Sequence, residues 1–568
     1  MRELDEAVEQ LVANQHRWAR TSTAARIEIL DAVKNCLQDV AIEWVAAAVA
    51  NKRIPEHSPL VGEEWLSGPY SLMAGCNAFA ETLRDIEGKS FLDKLKLRKT
   101  AGDRIAVRVL PHSIWDRVLL SGVEAEVWMQ PGVTESNLAS LTASSYDVPE
   151  EQRKGSVALV LGAGNIASIA PLDCFHKLFV EHSVVLLKLN PVNDYLYKVL
   201  TKALRPLIQF GALRIVRGGV EVGEYLCNHD AIDSIHITGA ESSHDAIVWG
   251  VGADGAANKR SGTPRNTRRI TSELGAVCPT IIVPGPWTDA DIRFQAEHVA
   301  TQKLHNSGFN CIACQVLVMP ENWDAGEKFL AEVRSAIRGA PPRAMYYPGA
   351  EERVDNFRSR YPSAEDLSEP EAQAERVVIP FDQSGEDHLL ETQEVFAPVL
   401  GVTGISGDDA EDYLRNAIAY CNEQLHGTLG ANIIIHPATR RTIGDRWDEI
   451  VADLKYGCIA INAWTGLGFL TVQTPWGAFP GHTLDDIQSG MGFVHNTFMF
   501  DKPERTVIEA PFRPFPRSIL NGSLSLLPKP PWFVTNRKAA ALGRRLTDFQ
   551  FKPGFLKIPG ILFNALLG

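Results

Sequence analysis

The chain of 568 residues is 45% hydrophobic and 22% charged, and it carries a formal net charge of −13. This is the composition of an ordinary globular protein, and it excludes a disordered chain, a collagen and a small disulfide-stapled domain. The length is enough for more than one domain of about 100–200 residues, and the acidic balance argues against a general nucleic-acid binder.

The first hundred residues are predicted to be helical. Apolar residues recur at helical spacing from residue 4 to 12, and again from 27 to 37 after the cap-prone sequence TST at 21–23. From about residue 156, short apolar runs alternate with amphipathic segments, which is the pattern of a doubly wound parallel sheet. Strands are predicted at 156–161, 184–189, 213–216 and 234–238, with helices near 172–180 and 195–210.

Residues 250–269 are rich in Gly, Asn and Arg and are predicted to form an inserted loop, with its arginines either in solvent or against phosphate. A second α/β region follows, with strands predicted at 280–283, 315–318, 377–379 and 432–435. Beyond about residue 503 prolines cluster and a basic, apolar tail begins. The two α/β regions predict two packed domains followed by a tail.

The cysteines and the N-terminal sequence together indicate the cellular compartment in which the protein is expected. The nine cysteines are odd in number and most lie in apolar segments, so we expect reduced thiols. No apolar run approaches the ~18 residues of a membrane span, and the acidic start MRELDE lacks the apolar core of a signal peptide. We therefore expect a cytoplasmic protein.

Three motifs could carry chemistry. GAGNIA at 162–167 follows a predicted strand and matches the G-x-G-x-x-A turn that binds a dinucleotide phosphate, although any glycine turn can look alike. NSGFNCIAC at 306–314 contains a cysteine after a small-residue turn, where a nucleophile is often found. TSELG at 271–275 holds Glu273, either a general base or a surface residue.

The CxxC pair within the second motif has other interpretations. A zinc site needs about four ligands, and no second CxxC or paired-His motif supplies them, so no metal is predicted. A thiol–disulfide pair normally opens a helix, whereas a strand is predicted here. Taken alone, the pair therefore also fits two structural thiols.

The order and spacing of the three motifs resemble the aldehyde dehydrogenase superfamily, from about residue 105 to 500. The family's N-x-G-Q-x-C-x-A signature resembles residues 306–313, and this resemblance implies that Cys311, not Cys314, is the nucleophile. The family's E-L-G-G resembles ELGA at 273–276 and implies that Glu273 is the base. The GAGNIA turn, beginning at Gly162, resembles the turn that supplies the oxyanion donor, which implies Asn165 in that role rather than a phosphate loop.

The resemblance also implies a site for NAD or NADP. Lys188 matches the lysine near the adenosine ribose, TGA at 238–240 places Gly239 and Ala240 at the diphosphate, and EVFAP at 394–398 places Glu394 and Phe396 at the nicotinamide ribose. Many members carry an acid in K-P-x-E at the end of the second strand, but this chain has KLNP at 188–191. The missing acid leaves the choice between NAD and NADP open.

The chemistry that the resemblance implies is oxidation of a small-molecule aldehyde to an acid. The Cys311 thiolate attacks the aldehyde, a hydride passes to the nicotinamide, and Glu273 activates the water that releases the acid. Other departures from the family are Phe309 for the usual glutamine, and Ala276 and Ala397 for glycines.

The implied fold is α/β, aldehyde dehydrogenase-like, with two doubly wound α/β domains, an oligomerisation arm and a C-terminal tail. The expected boundaries are 1–125 and 156–272 for the dinucleotide-binding domain, 126–155 for the arm, 273–482 for the catalytic domain, 483–510 for the return to the arm and cofactor domain, and 511–568 for the tail. The resemblance implies a homodimer or homotetramer, because the family pairs through the arm that residues 126–155 match. In this arm the alternating Glu126, Trp128 and Gln130 resemble a strand that needs a partner.

Two rival functions are open. A CoA-acylating aldehyde dehydrogenase or acyl-CoA reductase would share the fold and Cys311, but it usually lacks the water-activating glutamate. A non-catalytic scaffold on this fold is disfavoured because Cys311, Glu273 and Asn165 are all present.

The tail has a composition unlike the rest of the chain. Residues 512–568 contain nine Lys or Arg against one acid, a charge of +8, interleaved with large apolar residues. This composition is typical of a segment that lies on a membrane surface, and it equally fits a tail packed on its own subunit or a neighbour. Membrane contact would favour an apolar, long-chain aldehyde, although the prolines at 553 and 559 prevent one long helix.

Overall fold

The computed structural model describes residues 1–369 and 374–568. The predicted helical start is confirmed, and α2 begins where the Ser22 hydroxyl accepts a hydrogen bond from the Ala25 N–H. The elements of this first segment are α1 (Arg2–Ala19), α2 (Thr23–Asn51), α3 (Val61–Trp65), α4 (Ser71–Arg84), β1 (Lys96–Thr100), β2 (Arg104–Leu110), α5 (Ile114–Leu119) and β3 (Glu124–Met129).

The next segment alternates strands and helices. The four strands predicted here are confirmed to within one residue, and the two predicted helices are present, the second split into α7 and α8. The elements are β4 (Val157–Leu161), α6 (Ile169–Phe175), β5 (Val184–Lys188), α7 (Tyr197–Ala203), α8 (Arg205–Phe210), β6 (Leu213–Val216), α9 (Val220–Cys227), β7 (Ser234–Gly239), α10 (Glu241–Val248), α11 (Gly252–Ser261) and β8 (Arg269–Leu274).

A second α/β segment follows, and its four predicted strands are confirmed to within two residues. Its elements are β9 (Cys278–Ile282), α12 (Asp289–Leu304), β10 (Cys314–Pro320), α13 (Gly326–Arg338), α14 (Ala350–Arg360), β11 (Glu365–Asp366), β12 (Val377–Pro380), α15 (Leu389–Thr392), β13 (Val399–Ile405), α16 (Ala410–Gln424), β14 (Gly430–Ile434), α17 (Pro437–Ile443), α18 (Trp447–Asp453), β15 (Cys458–Ile461) and α19 (Gly466–Leu470).

The chain ends with short strands and the tail helices. These elements are β16 (Pro475–Trp476), β17 (Gly490–Met491), β18 (Val494–His495), β19 (Pro503–Glu509), α20 (Arg517–Leu520), α21 (Ala539–Phe551) and α22 (Ile558–Leu566).

The smaller sheet is doubly wound, as the sequence predicted. Its order is β17-β8-β7-β4-β5-β6, with every pair parallel except β17 with β8. The chain leaves β4 towards β5 and β6 on one side and returns to β7 and β8 on the other. The strand order thus reverses between β4 and β7, and ligands of such sheets bind outside the carboxyl ends of the strands at this switch point.

The larger sheet has eleven strands in the order β1-β2-β3-β19-β15-β14-β9-β10-β13-β12-β11. Strands β19 to β12 are parallel to one another, and β1, β2 and β3 pair antiparallel. Residues 96–110 thus lie in the larger sheet, which differs from the expected boundary of 1–125 for the cofactor domain. The reason is pairing: β2 is hydrogen-bonded to β3, and β3 to the distant β19.

The segment expected to be an oligomerisation arm is also paired inside its own chain. Trp128 lies opposite Ala106 of β2 on one side and Arg505 of β19 on the other, and Trp128 is buried. Strand β3 therefore has no free edge, and the alternation seen in the sequence is satisfied without a second subunit.

The prediction of a loop at 250–269 is wrong for the first half of that range. Residues Gly252–Ser261 form helix α11, which ends at Gly262 in the left-handed conformation (φ 65°). Helix propensity was masked by the glycines in this sequence, since its helical interior is mostly Ala, Asn, Lys and Arg.

The tail packs on its own chain over much of its length. Trp532 and Phe533 are buried in the core, α21 packs against α3 and α4, and Arg513 forms an ion pair with Asp291 at 2.8 Å. Packing on the same subunit is thus part of the tail's role. Within the described residues, no helix combines the length and apolarity that crossing a bilayer requires.

Candidate active site

The Cys311 loop joins α12 to β10. Asn306 (φ 54°), Ser307 (φ 54°) and Gly308 (φ 74°) all lie in the left-handed region, which turns the chain sharply before Cys311. A Cβ atom at Gly308 would lie 2.7 Å from the carbonyl oxygen of Ala397, so glycine is required there. The turn delivers Cys311 to the wall of a cavity.

Cys314 is placed differently. It opens strand β10 and is fully buried, with its Sγ 3.8 Å from the carbonyl oxygen of Val316. Burial raises the pKa of the Cys314 thiol to about 11, so this thiol is protonated at neutral pH. The geometry separates the two cysteines of the CxxC motif into a cavity residue and a core residue.

Buried charges hold the Cys311 loop from behind, and we call Lys52, Glu63, Glu64 and Arg343 the loop-support cluster. The Asn306 N–H donates to Glu63 Oε2 at 3.0 Å, and Arg343 donates to Asn306 Oδ1 at 3.1 Å. Arg343 is also ion-paired with Glu63, and Lys52 with Glu64 at 3.0 Å. Helices α2 and α3 thereby fix a loop more than two hundred residues away in sequence.

Asn165 lies in the turn after β4 and reaches the same loop. Its Nδ2 donates to the carbonyl oxygen of Phe309 at 2.9 Å, and its own carbonyl oxygen accepts from the Tyr346 hydroxyl at 3.1 Å. One amide hydrogen of Asn165 is used in this contact, which leaves the second for a ligand in the cavity that Asn165 lines.

Glu273 is near the end of β8, and its side chain enters the same cavity. It is only 2% exposed, and neither carboxylate oxygen has a hydrogen-bond partner among the described residues. Burial raises the pKa of Glu273 to about 7, with a smaller opposing effect from Cys311 and a further rise caused by Asp173. A carboxylate with this pKa can accept and release a proton near neutral pH.

Cys311 and Glu273 act on each other. Burial raises the pKa of the Cys311 thiol well above its usual value, and the negative charge of Glu273 raises it further. The thiol is therefore neutral at rest, and Glu273 is the group beside it that can take its proton.

The cavity of about 260 Å³ brings together seven of the nine residues predicted from the sequence. The two others, Gly162 and Lys188, lie at the adjacent ends of β4 and β5, where the Gly162 N–H donates to the Lys188 carbonyl oxygen at 3.1 Å. The seven that line the cavity are Asn165, Gly239, Ala240, Glu273, Cys311, Glu394 and Phe396.

These residues fit a bound dinucleotide. The cavity opens at the carboxyl ends of β4, β7 and β8, at the switch point of the sheet. Glu394 is partly buried, and its Oε1 is buried without a hydrogen-bond partner in the described residues. Desolvation and the charge of Glu273 raise the pKa of Glu394 to about 8. A Cβ at Gly275 would lie 2.0 Å from Glu394 Oε2, so glycine lets this carboxyl group reach the cavity.

Sequence reasoning missed two residues of the cavity wall. Tyr347 and Arg353 line it, and Arg353 donates to the carbonyl oxygens of Val395 at 3.0 Å and Phe396 at 3.1 Å. The loop-support cluster was missed as well. No motif marks these positions, because their roles come from contacts between segments far apart in the chain.

A family model and the similar sequences of known proteins agree on one family. A family model described as the aldehyde dehydrogenase family matches residues 191–478. An aldehyde dehydrogenase from Craterostigma plantagineum is 23% identical over 394 residues, covering 66% of this chain and 73% of the relative. Malonate-semialdehyde dehydrogenase 1 from Geobacillus kaustophilus is 23% identical over 375 residues, covering 58% of this chain and 71% of the relative.

Solved structures share the fold. An NAD-dependent aldehyde dehydrogenase from Sinorhizobium meliloti superposes with a TM-score of 0.58 at 16% identity, covering 90% of this chain and 87% of its own. Glyceraldehyde-3-phosphate dehydrogenase GapN from Methanocaldococcus jannaschii, solved with NADP, superposes with a TM-score of 0.58 at 13% identity. The match covers 89% of this chain and 94% of that structure. With the family model spanning half of the sequence, the chain belongs to the aldehyde dehydrogenase family and is an oxidoreductase that acts on aldehydes.

Proposed function

We propose that this enzyme oxidises an aldehyde to a carboxylic acid with NAD or NADP, using Cys311 as nucleophile, Glu273 as general base and Asn165 as oxyanion donor. The observation that carries the proposal is the meeting of Cys311 and Glu273 in one cavity at the switch point of the smaller sheet. The family membership supports the reaction class, and the geometry supports the roles of the three residues.

In the first half-reaction, Glu273 takes the proton of the Cys311 thiol, and the thiolate attacks the aldehyde carbon. The resulting oxyanion accepts hydrogen bonds from Asn165 Nδ2 and the main-chain N–H of Cys311. The nicotinamide supplies the hydride acceptor. Glu273 then loses the thiol proton to solvent. In the second half-reaction it takes a proton from water, the hydroxide attacks the thioester carbonyl, and the acid leaves as the Cys311 thiolate is released. Glu273 returns its proton to that thiolate, which restores the neutral thiol.

The cofactor residues we propose are Lys188, Gly239, Ala240, Glu394 and Phe396, beside the turn that begins at Gly162. Glu394 offers an unpartnered carboxylate oxygen to a ribose hydroxyl. The choice between NAD and NADP turns on the position three residues after Lys188, where many relatives have an acid.

At the position of the acid, three residues after Lys188, this chain has Pro191, which carries no charge. The residue before it is Asn190. Its Oδ1 accepts from the Val192 N–H at 3.0 Å, so it is engaged as a helix cap. The place where an acid would repel a 2′-phosphate therefore has no negative charge of its own, and both cofactors are proposed.

Release to water is favoured over transfer to CoA because Glu273 stands beside the thioester position. The test is a panel of short- and long-chain aldehydes, assayed with NAD and with NADP, each with and without CoA. We expect acid production without CoA by the wild-type enzyme and none by Cys311→Ala. Activity that requires CoA would replace hydrolysis with the acyl-transfer alternative.

We further propose that the tail contacts an anionic membrane surface and that the preferred aldehyde is apolar. Beyond the buried part of the tail, Phe555, Leu556 and Phe563 are 69%, 98% and 65% exposed. The ring of Trp115 of α5 packs against Phe555 with ring centroids 4.6 Å apart, and its neighbour Ile114 is exposed.

Exposed basic side chains lie in the same segment of the tail as these apolar residues. Arg544, Arg545 and Lys552 are exposed and form no ion pair within the described part of the chain. A large apolar surface rimmed by free cations is complementary to an anionic bilayer surface. Insertion there would bring the enzyme to aldehydes dissolved in the bilayer.

Co-sedimentation with vesicles tests this contact. Truncation after Pro511 is unsuitable because Trp532 and Phe533 are part of the core, so we choose Leu556→Ser with Phe563→Ser, and separately Arg544→Gln with Arg545→Gln. We expect the wild type to pellet with phosphatidylserine vesicles at low salt, and both double variants to pellet several-fold less. Ile42→Ser, at an apolar residue exposed on α2, is the matched control and should pellet like the wild type. Equal pelleting of all variants, or none, would remove the membrane role.

Assembly into a homodimer or homotetramer is a separate proposal. It rests on the family membership, since β3 is already paired within one chain. Light scattering at micromolar concentration should give two or four times the chain mass of 62.4 kDa. A mass of one chain would contradict it.

A further inference from the structure

The tail helix α21 and helix α3 approach each other closely at two glycines. A Cβ atom at Gly62 of α3 would lie 2.4 Å from the carbonyl carbon of Ala539. A Cβ atom at Gly543 of α21 would lie 2.7 Å from Trp65 Cβ and 3.0 Å from the carbonyl oxygen of Gly62. The two backbones are thus in a contact that one added methyl group at either glycine would break.

Helix α3 is also the helix that holds the Cys311 loop. Glu63 follows Gly62 directly, and its Oε2 accepts the Asn306 N–H at 3.0 Å. Asn306 Nδ2 in turn donates to the carbonyl oxygen of Phe309 at 3.0 Å, two residues before Cys311. A shift of α3 is therefore passed to the nucleophile loop through two hydrogen bonds.

The segment after α3 reaches the turn of the oxyanion donor. Helix α21 packs against this segment, Leu66–Tyr70, as well as against α3. The carbonyl oxygen of Ser67 accepts the Ser168 N–H at 3.1 Å, three residues after Asn165. The elements under α21 thus contact both the Cys311 loop and the Asn165 turn.

Helix α21 is fixed on both sides of this contact. Before it, Trp532 and Phe533 are buried in the core. Near its end, Asn77 Nδ2 of α4 donates to the carbonyl oxygen of Gln550 at 2.9 Å and to its Oε1 at 3.0 Å. The tail therefore sets the position of α21, and α21 limits where α3 can lie.

We propose that α21 is a positioning element of the proposed function, on which this inference rests. Its contact with α3 at Gly62 and Gly543 holds the Cys311 loop and the Asn165 turn at their reacting distance. Neither glycine touches the substrate, and both act through the hydrogen bonds of α3 and the segment after it. The tail is thus needed for hydride transfer as well as for stability.

Two variants break the contact from opposite sides. Gly543→Ala and Gly62→Ala each add one methyl group between α21 and α3. Alanine favours a helix more than glycine does, so any loss arises from the contact. Because a displacement of about 1 Å at a reacting group can cost about 100-fold, we expect the burst of reduced cofactor to slow at least about tenfold. Cofactor affinity should be retained, since neither glycine lines the cavity.

Hydrogen exchange gives a readout that needs no reaction. In both variants, peptides that cover residues 304–311 should exchange several-fold faster, because the Asn306 N–H loses its bond to Glu63. Strand β13 should stay protected, which shows that the rest of the fold is retained.

Gly554→Ala is the matched control in the same tail. Gly554 has an extended backbone (φ −174°), and a Cβ atom there would meet no atom of the described chain within 4 Å. We expect this variant to show the burst and the exchange of the wild type.

The wild type supplies a second measurement in case the variants do not fold. With rising urea below the main unfolding transition, residues 304–311 should lose protection together with α21, and before β13 does. This measurement decides the matter if either variant loses the protection of β13.

Three outcomes would overturn the positioning role. They are a normal burst in either folded α21–α3 variant, an equal loss in Gly554→Ala, and a loop that stays protected in urea after α21 has opened. Failure of the proposed function is distinguishable, because then Cys311→Ala would remain active while the exchange results would stand unchanged.

Discussion

Buried glutamates lie in two places beside the Cys311 loop, and only those in the loop-support cluster are paired with cations. In the loop-support cluster, Glu63 and Glu64 each face a cation, Arg343 or Lys52. In the reaction cavity, Glu273 has no ion pair and no hydrogen-bond partner among the described residues. Paired buried charges fix a geometry, whereas unpaired ones have shifted pKa values and are poised to react.

The largest effect is expected at Cys311, the proposed nucleophile. Cys311→Ala removes the atom that forms the thioester, so aldehyde oxidation should fall by at least about 10⁴-fold. Steady-state formation of reduced cofactor measures it. Residual activity within tenfold of the wild type would move the nucleophile elsewhere.

Glu273→Gln should slow turnover by about 10²-fold to 10⁴-fold. The amide cannot take the proton of the Cys311 thiol, so hydride transfer should slow. It also cannot activate water, so the thioester that does form should accumulate. Stopped-flow absorbance of reduced cofactor and mass spectrometry of the acylated protein check this. Unchanged steady-state turnover would remove Glu273 from the mechanism.

The paired cluster should respond in stability as well as activity. Arg343→Met leaves Glu63 buried without its cation, and breaking such a pair costs about 3–5 kcal/mol. Urea unfolding measures the loss. The matched control is Arg358→Met, which breaks a solvent-exposed pair with Glu375 and should cost about 1 kcal/mol or less. Equal losses in the two variants would mean that the loop-support cluster has no special role.

The unpaired carboxylate should set the pH dependence. Burial raises the pKa of Glu273 from 4.5 to about 7. The proposed role as general base requires the ionised form, so turnover should fall about tenfold per pH unit below about 7. The folded chain binds this proton more tightly than the unfolded chain, so stability is lost as the pH rises from about 4.5 through about 7. In Glu273→Gln, pH-dependent unfolding should lose this component.

The smallest effect is expected at the second cysteine. Cys314→Ala removes a buried thiol from β10 and should cost about 1 kcal/mol of stability, with most activity retained. Iodoacetamide should then label one fast-reacting thiol in both the wild type and Cys314→Ala. Loss of the fast thiol in Cys314→Ala would reverse the assignment of the two cysteines.

Several features were predictable because their signals are local. The strands from 156 to 238 follow from short apolar runs between turn residues, and the structure has them within one residue. The motif around Cys311 contains the glycine that its turn requires, and its spacing distinguishes Cys311 from Cys314. The helix α11 was missed because glycines within a polar sequence hide its propensity.

Other features depend on residues that are distant in the sequence. The Asn306 N–H bonds to Glu63, 243 residues away, and β3 is paired to β19 across most of the chain. No periodicity or motif encodes such contacts, so residues 96–110 were expected in the other domain and β3 was expected to seek a partner subunit.

The sequence by itself determined the α/β class, most strands, the family and the residue types of the site. Only the tertiary structure decided which sheet β1 and β2 join, how much of the tail is buried, and that Glu273 has a pKa of about 7. The physical reason is that turns and strands are governed by neighbouring residues, while sheet pairing and desolvation arise only when distant segments pack together.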